Sequence, residues 1–254
     1  MFNYMRSEAY QIRRNRSFLA CLIVMTAGIL AVIGIMKYLD SLAAYKLALP
    51  MNALYTSISF IHGFIIIVAG SLENNEFQRH HTLKNSVAFG FPRAQIYLGK
   101  FFSQLLTCTL IYIAMPLLFT GVGCLLLKTP PREEFIQLFR ALAGGYPLCV
   151  CELSICFCFF TNLGANWAGV LSSVFVSWGL PFIFNIVGYK FPIFTVLHKW
   201  SPANMVEFQL DSQGMRYAFW DTASGMAHCY LSGIVGTLLF VAIGLYWLNK
   251  REIR

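Results

Sequence analysis

The sequence predicts an all-α integral membrane protein. It has six transmembrane helices, an N-terminal amphipathic interfacial helix and an ordered elbow between spans two and three. Three observations predict this. The chain of 254 residues is 57% apolar and only 12% charged. A soluble domain carries about 25% charged residues. The mean hydropathy is +0.62. The apolar residues also fall in uncharged runs of membrane length, since a core of about 30 Å takes about 20 helical residues. The 23 Phe and 12 Tyr exclude a disordered or collagen-like chain. Residues 1–254 read as a single transmembrane domain.

Residues 1–16 place Phe2, Met5, Ala9 and Ile12 at helical spacing, with Arg6, Arg13 and Arg16 elsewhere. That pattern suits a basic helix lying in the membrane interface. The apolar run that follows, Ser17 to Met36, has 20 residues without a charge. It is longer than a cleavable signal's core of about 7–15 residues, so it is expected to be span one, at 18–36. Leu47 to Leu72 gives 26 uncharged residues and span two, at 54–72. Phe101 to Leu127 gives 27 and span three, at 101–127. Leu153 to Tyr189 gives 37, enough for most of two spans. The polar stretch Thr161 to Asn166 divides it into spans four (140–161) and five (167–187). Thr222 to Asn249 gives 28 residues and span six, at 227–248.

Charge sets the orientation. The N-terminal segment, the 73–100 segment and the C-terminal tail hold eleven of the 19 Lys and Arg. With six spans these segments share one side, so the positive-inside rule makes both termini cytoplasmic. The charge flanks spans rather than forming a stripe, which argues against a nucleic-acid partner. Membrane lipid is the expected surrounding.

Glu152 is the acid inside a predicted span. An ionisable group there faces a protein interior or a watery path. Two readings stand: a group contacting substrate or protons, or a structural acid at a helix contact, with Arg140 or His62 as partner. His62, in span two, suits a packed neutral imidazole. The eight Cys lie in or beside apolar runs, and no disulfide framework is indicated. Cys149, Glu152 and Cys156 share one helical face. A soft metal could use that face, but the spacing is not that of a zinc finger, and buried Cys also packs as a small apolar residue.

The segment from Ser71 to Phe102 carries the most information. Glu73 and Glu76 sit where span two ends. Leu83 and Val87 follow at helical spacing, with His80 and Lys84 around them. Gly90 suits a helix C-cap and Pro92 the first turn of the next helix. Arg93, Gln95, Tyr97 and Lys100 then lead amphipathically into span three. An elbow of this kind can pass a push from a soluble partner to two spans.

The segment resembles the cytoplasmic loop of ABC type 2 exporter permeases, particularly the small bacterial ones tied to lantibiotic, bacitracin and drug export. In that family an acid closing the second helix is followed by threonine, lysine, a basic residue and Tyr-x-Gly-Lys. The matching residues are Glu73 or Glu76, Thr82, Lys84, Arg93 and Tyr97-Leu98-Gly99-Lys100. His80-His81 replaces a commoner Glu-Gly-like pair. The N-terminal helix and Trp200-Ser201-Pro202 are similar to the family's connecting helix and outer Ser-Pro element.

The resemblance implies a permease half of an exporter in a bacterial plasma membrane. A coupling helix around 76–90 would dock in a separate cytoplasmic ABC ATPase subunit. Its expected contacts are Glu73, Glu76, Phe77, His80, His81, Thr82, Leu83, Lys84, Val87 and Arg93. A second permease chain, identical or not, would complete the assembly. ATP and magnesium would sit on the partner ATPase, with no cofactor bound directly. The chain itself is not expected to be an enzyme: Gly99-Lys100 lacks the first Gly and the Ser or Thr of a P-loop.

The aromatic-rich segment 188–226 is expected outside the cytoplasm, as short, partly embedded helices with Ser201 as N-cap and Pro202 at N1. Trp200, Pro202 and Trp220 read either as an outer gate or as an interfacial aromatic belt. Two rival classes are weighed. A secondary transporter or channel would use Glu152, although no internal repeat is visible. An intramembrane enzyme would need more than Glu133-Glu134, which falls in a predicted outer loop and lacks a companion Arg at the matching spacing.

Overall fold

The computed structural model describes residues 2–42, 64, 67–70, 72, 92–127, 129, 131–163, 167–206, 209–210 and 216–250. The described residues are almost wholly helical. In order they form α1 (Phe2–Arg14), α2 (Arg16–Leu42), α3 (Arg93–Leu126) and α4 (Arg132–Leu163). Then come α5 (Trp167–Val174), a π turn (Phe175–Gly179), α6 (Leu180–Gly188), α7 (Pro192–Lys199) and α8 (Pro202–Val206). A two-residue antiparallel pair, β1 (Gln209–Leu210) with β2 (Arg216–Tyr217), and a 3₁₀ turn (Phe219–Asp221) lead into α9 (Ala223–Lys250).

Five of these helical stretches are long and apolar enough to cross a membrane: Arg16–Ser41, Arg93–Leu126, Arg132–Leu163, Trp167–Gly188 and Ala223–Lys250. The chain is a multi-pass membrane protein. The predicted span at 54–72 lies outside the described residues, apart from helical positions at 64, 67–70 and 72.

Two helices begin well before their apolar runs; the first does so at the proline the sequence marks, and the second differs from expectation. α3 begins at Arg93 because Pro92 supplies a fixed φ of −65° and its carbonyl accepts from Gln95 N at 2.9 Å. α4 begins at Arg132, eight residues before the predicted start at 140. Glu133 and Glu134 were expected in a loop. They lie in the first helical turn instead, where carboxylates complement the N-terminal end of the helix dipole.

The link from α1 to α2 is a single residue. Asn15 Oδ1 accepts from Phe18 N at 3.1 Å, so Asn15 caps α2. The π turn has a chemical cause in Pro181. Proline has no N–H to donate to the carbonyl four residues back, so the α-helical ladder breaks just ahead of it.

α4 is the central helix. Its apolar window is 72% buried, against 17% for α2 and for the α5–α6 stretch. α9 runs along α4 through a seam of small residues. A Cβ at Gly233 would meet the Pro147 backbone, one at Gly236 the Cys151 sulfur, and one at Gly244 the Tyr97 hydroxyl. Lipid gives helices no hydrophobic drive to associate, so close van der Waals approach of this kind holds them. Several hydroxyls inside spans are satisfied locally: Thr26, Ser103, Thr109, Ser173 and Thr237 each donate to the carbonyl four residues back.

Packing sorts the residues between two ends of the bundle. At one end Phe18, Tyr97, Phe101, Phe157, Phe160 and Leu248 form one cluster. There Asn162 Nδ2 donates to Gly244 O at 3.3 Å. At the opposite end Ile33, Phe119, Leu127, Leu138, Ala141 and Trp220 form a second cluster.

From that second end the chain turns back. α7 returns along α6, with Thr195 Oγ1 donating to Gly188 O at 3.1 Å and Phe184 stacked on Phe194 at 5.6 Å. His198 Nδ1 lies 3.0 Å from Pro181 O. α8 then buries Met205 and Val206 against Leu148 of α4 and Cys229 of α9. Much of the segment expected as an outer loop thus packs back against the helices.

Candidate functional site

Of the expected ATPase-coupling residues, Arg93 is described. Glu73, Glu76, Phe77, His80, His81, Thr82, Leu83, Lys84 and Val87 lie outside the described residues. Arg93 heads α3 and its Nη1 donates to Leu248 O at 3.3 Å and Asn249 O at 3.0 Å. These carbonyls belong to the last turn of α9, where intrahelical donors run out and a cation is favoured. One guanidinium therefore ties the start of α3 to the end of α9.

The Tyr-x-Gly-Lys stretch is the second turn of α3. Tyr97 is 1% exposed and its ring lies 4.8 Å from that of Phe157 on α4. Phe101 lies 5.5 Å from the same ring. Tyr97 therefore joins α3 to α4 and α9 by packing. Movement imposed at Pro92–Arg93 meets a ring stack on one side and a helix cap on the other.

Glu152 sits in the middle third of α4, 3% exposed. Its Oε1 meets no hydrogen-bond partner among the described residues. Ser177 is the polar group facing the carboxyl, and it lies in the π turn. Cys149, Cys151, Leu153 and Cys156 surround the acid, all buried. Arg140 is not its partner. It lies twelve residues earlier on α4, about 18 Å along the axis, and is exposed. His62 lies outside the described residues. All eight cysteines are free, and among the described residues no three His, Cys, Asp or Glu converge on a metal position.

The outer residues divide. Ser201 Oγ accepts from Asn204 N at 3.4 Å and Pro202 opens α8, as the sequence predicts. Trp200 is partly exposed, with its ring 4.9 Å from that of His228 and its carbonyl accepting from Ser232 Oγ at 2.7 Å. Trp220 is buried against Gly144, where an added Cβ would stand 2.7 Å from the Trp220 Cβ. It closes the second end of the bundle between α2, α3 and α4. Its side chain belongs to the packed core of that end.

Sequence reasoning missed a polar cleft of about 460 Å³ at the first end, between α1, the start of α2 and the second and third turns of α3. Glu8, Asn15, Lys100, Ser103 and Gln104 line it and are all buried. Asn15 directly before an apolar run was the readable signal, because Asn is a favoured N-cap. Comparison of the chain with protein-family models and with curated proteins gives no match.

Proposed function

We propose that the chain is the transmembrane permease subunit of an ATP-driven exporter of the ABC type 2 class. It moves a peptide antibiotic, drug or other amphipathic substrate out of the membrane or the cell. The observation that carries this reading is the Arg93 link. A load applied to the elbow before Arg93 reaches α3 directly and α9 through two hydrogen bonds. A rigid-body switch driven from a soluble partner needs such a shared anchor.

The arrangement of the ends supports a six-span, cytoplasmic-termini reading. α1, Arg93 and the end of α9 share one end of the bundle. α2 leaves from the first end and packs at the second through Ile33 and Met36, and the chain resumes at the first end at Pro92. In this reading one crossing within 43–91 brings the total to six spans. ATP and magnesium belong to the partner ATPase. The exposed apolar faces of α2, α5–α6 and α9 leave room for lipid and a second permease chain.

Co-expression with a candidate ABC ATPase subunit, and purification through a tag on the permease, tests the proposal. The expected result is co-purification with vanadate-sensitive ATP hydrolysis, both lost in Glu76→Ala/Leu83→Ala. An intact, monodisperse permease that retains no ATPase would overturn it. A second reading, a channel or secondary transporter, is favoured by a carboxyl, Glu152, buried inside the bundle and facing the Ser177 hydroxyl.

A further inference from the structure

None of the expected ATPase contacts lines the cleft beside α1. Its lining offers three cations, Arg14, Arg16 and Lys100, against one carboxylate, Glu8. The N-terminal end of α2 adds a partial positive charge to the same wall. Arg14 is pre-positioned, its Nη1 donating to Tyr10 Oη at 3.0 Å. Ser103 and Gln104 contribute polar groups from α3, and Ile12 and Leu72 an apolar floor. At about 460 Å³ the cleft has the size of a small-molecule site.

We propose that this cleft binds the phosphate headgroup of an anionic phospholipid. Position selects a lipid over a free phosphate ester. The cleft lies where an amphipathic helix meets the first turns of two spans, a junction that suits the headgroup layer. The spans beside it expose Leu19 and Ile23 on α2, and Phe102 and Leu106 on α3. Acyl chains continue along those faces while the phosphate is held above them. A bound lipid then cements α1 to α2 and α3.

Native mass spectrometry of the full chain in detergent, titrated with phosphatidylglycerol or phosphatidylcholine, tests this without any ATPase. It is therefore independent of the exporter reading. Phosphatidylglycerol is expected to bind well above phosphatidylcholine. Arg14→Gln/Arg16→Gln is expected to weaken it about thirtyfold, from roughly a factor of five per cation. Arg13→Gln/Lys250→Gln removes the same charge from side chains that do not line the cleft and is expected to change binding less than about twofold, because solvent and salt screen them from the bound phosphate. Gln11→Trp fills the cleft with every cation intact and is expected to expel the lipid, a safeguard should the arginine variant fold poorly. Equal binding of the two lipids, or equal loss in the two double variants, would overturn the site. Full displacement of phosphatidylglycerol by millimolar glycerophosphate would overturn the lipid assignment in favour of a soluble phosphate ester.

Discussion

Gly233 and Gly34 occupy helices of similar apolarity, yet a methyl group means different things to them. At Gly34 no described residue lies within 4 Å of an added Cβ, whereas at Gly233 the neighbour is Pro147 backbone. Gly233→Ala is therefore expected to destabilise the α4–α9 pair by about 1–3 kcal/mol, the usual scale of overpacking. Gly34→Ala is expected to be neutral. Thermal unfolding in detergent, read by size-exclusion fluorescence, checks both. Glu152 poses the functional question at this scale. Glu152→Gln keeps size and polarity, so the exporter reading predicts nearly unchanged ATPase stimulation and transport. Loss of transport with intact folding would favour the channel or secondary-transporter reading. The presence of Glu152 was legible in the sequence, because one acid stands out in an apolar run. Its neighbour Ser177 was not, because only the π turn brings that hydroxyl to α4.

The helices were largely legible from run length. Spans expected at 18–36, 167–187 and 227–248 correspond to Arg16–Ser41, Trp167–Gly188 and Ala223–Lys250. The start of α4 was not, because uncharged length cannot show that Glu133 and Glu134 belong to a helical turn. The path of α7 and α8 was partly legible: Ser201-Pro202 signals a helix start, but not that it packs on Leu148 and Cys229. The role of Arg93 was hidden for a different reason. Its partners are backbone carbonyls, which leave no residue pattern. Arg93→Ala is expected to keep the partner ATPase bound while lowering its stimulated hydrolysis several-fold. The lost contacts are worth about 1 kcal/mol each at a partly exposed site. Glu76→Ala/Leu83→Ala, by contrast, is expected to lose the partner itself. Pull-down and hydrolysis measured on the same preparations separate the two effects.

At the scale of the whole molecule, α4 is a buried mast and α9 its closest companion, with α3 joined to both at the end that carries Arg93. The opposite end is closed by Trp220 and lined by segments that pack back against the helices. In the proposed exporter the first end receives force and the second releases substrate. This division requires residues 73–91 to face the cytoplasm together with both termini. Reporter fusions test that requirement most directly, with paired alkaline phosphatase and green fluorescent protein joined after residue 45 and after residue 85. The account predicts phosphatase activity at 45 and fluorescence at 85. The same reporter active at both positions would mean no crossing between them, and would contradict the six-span permease.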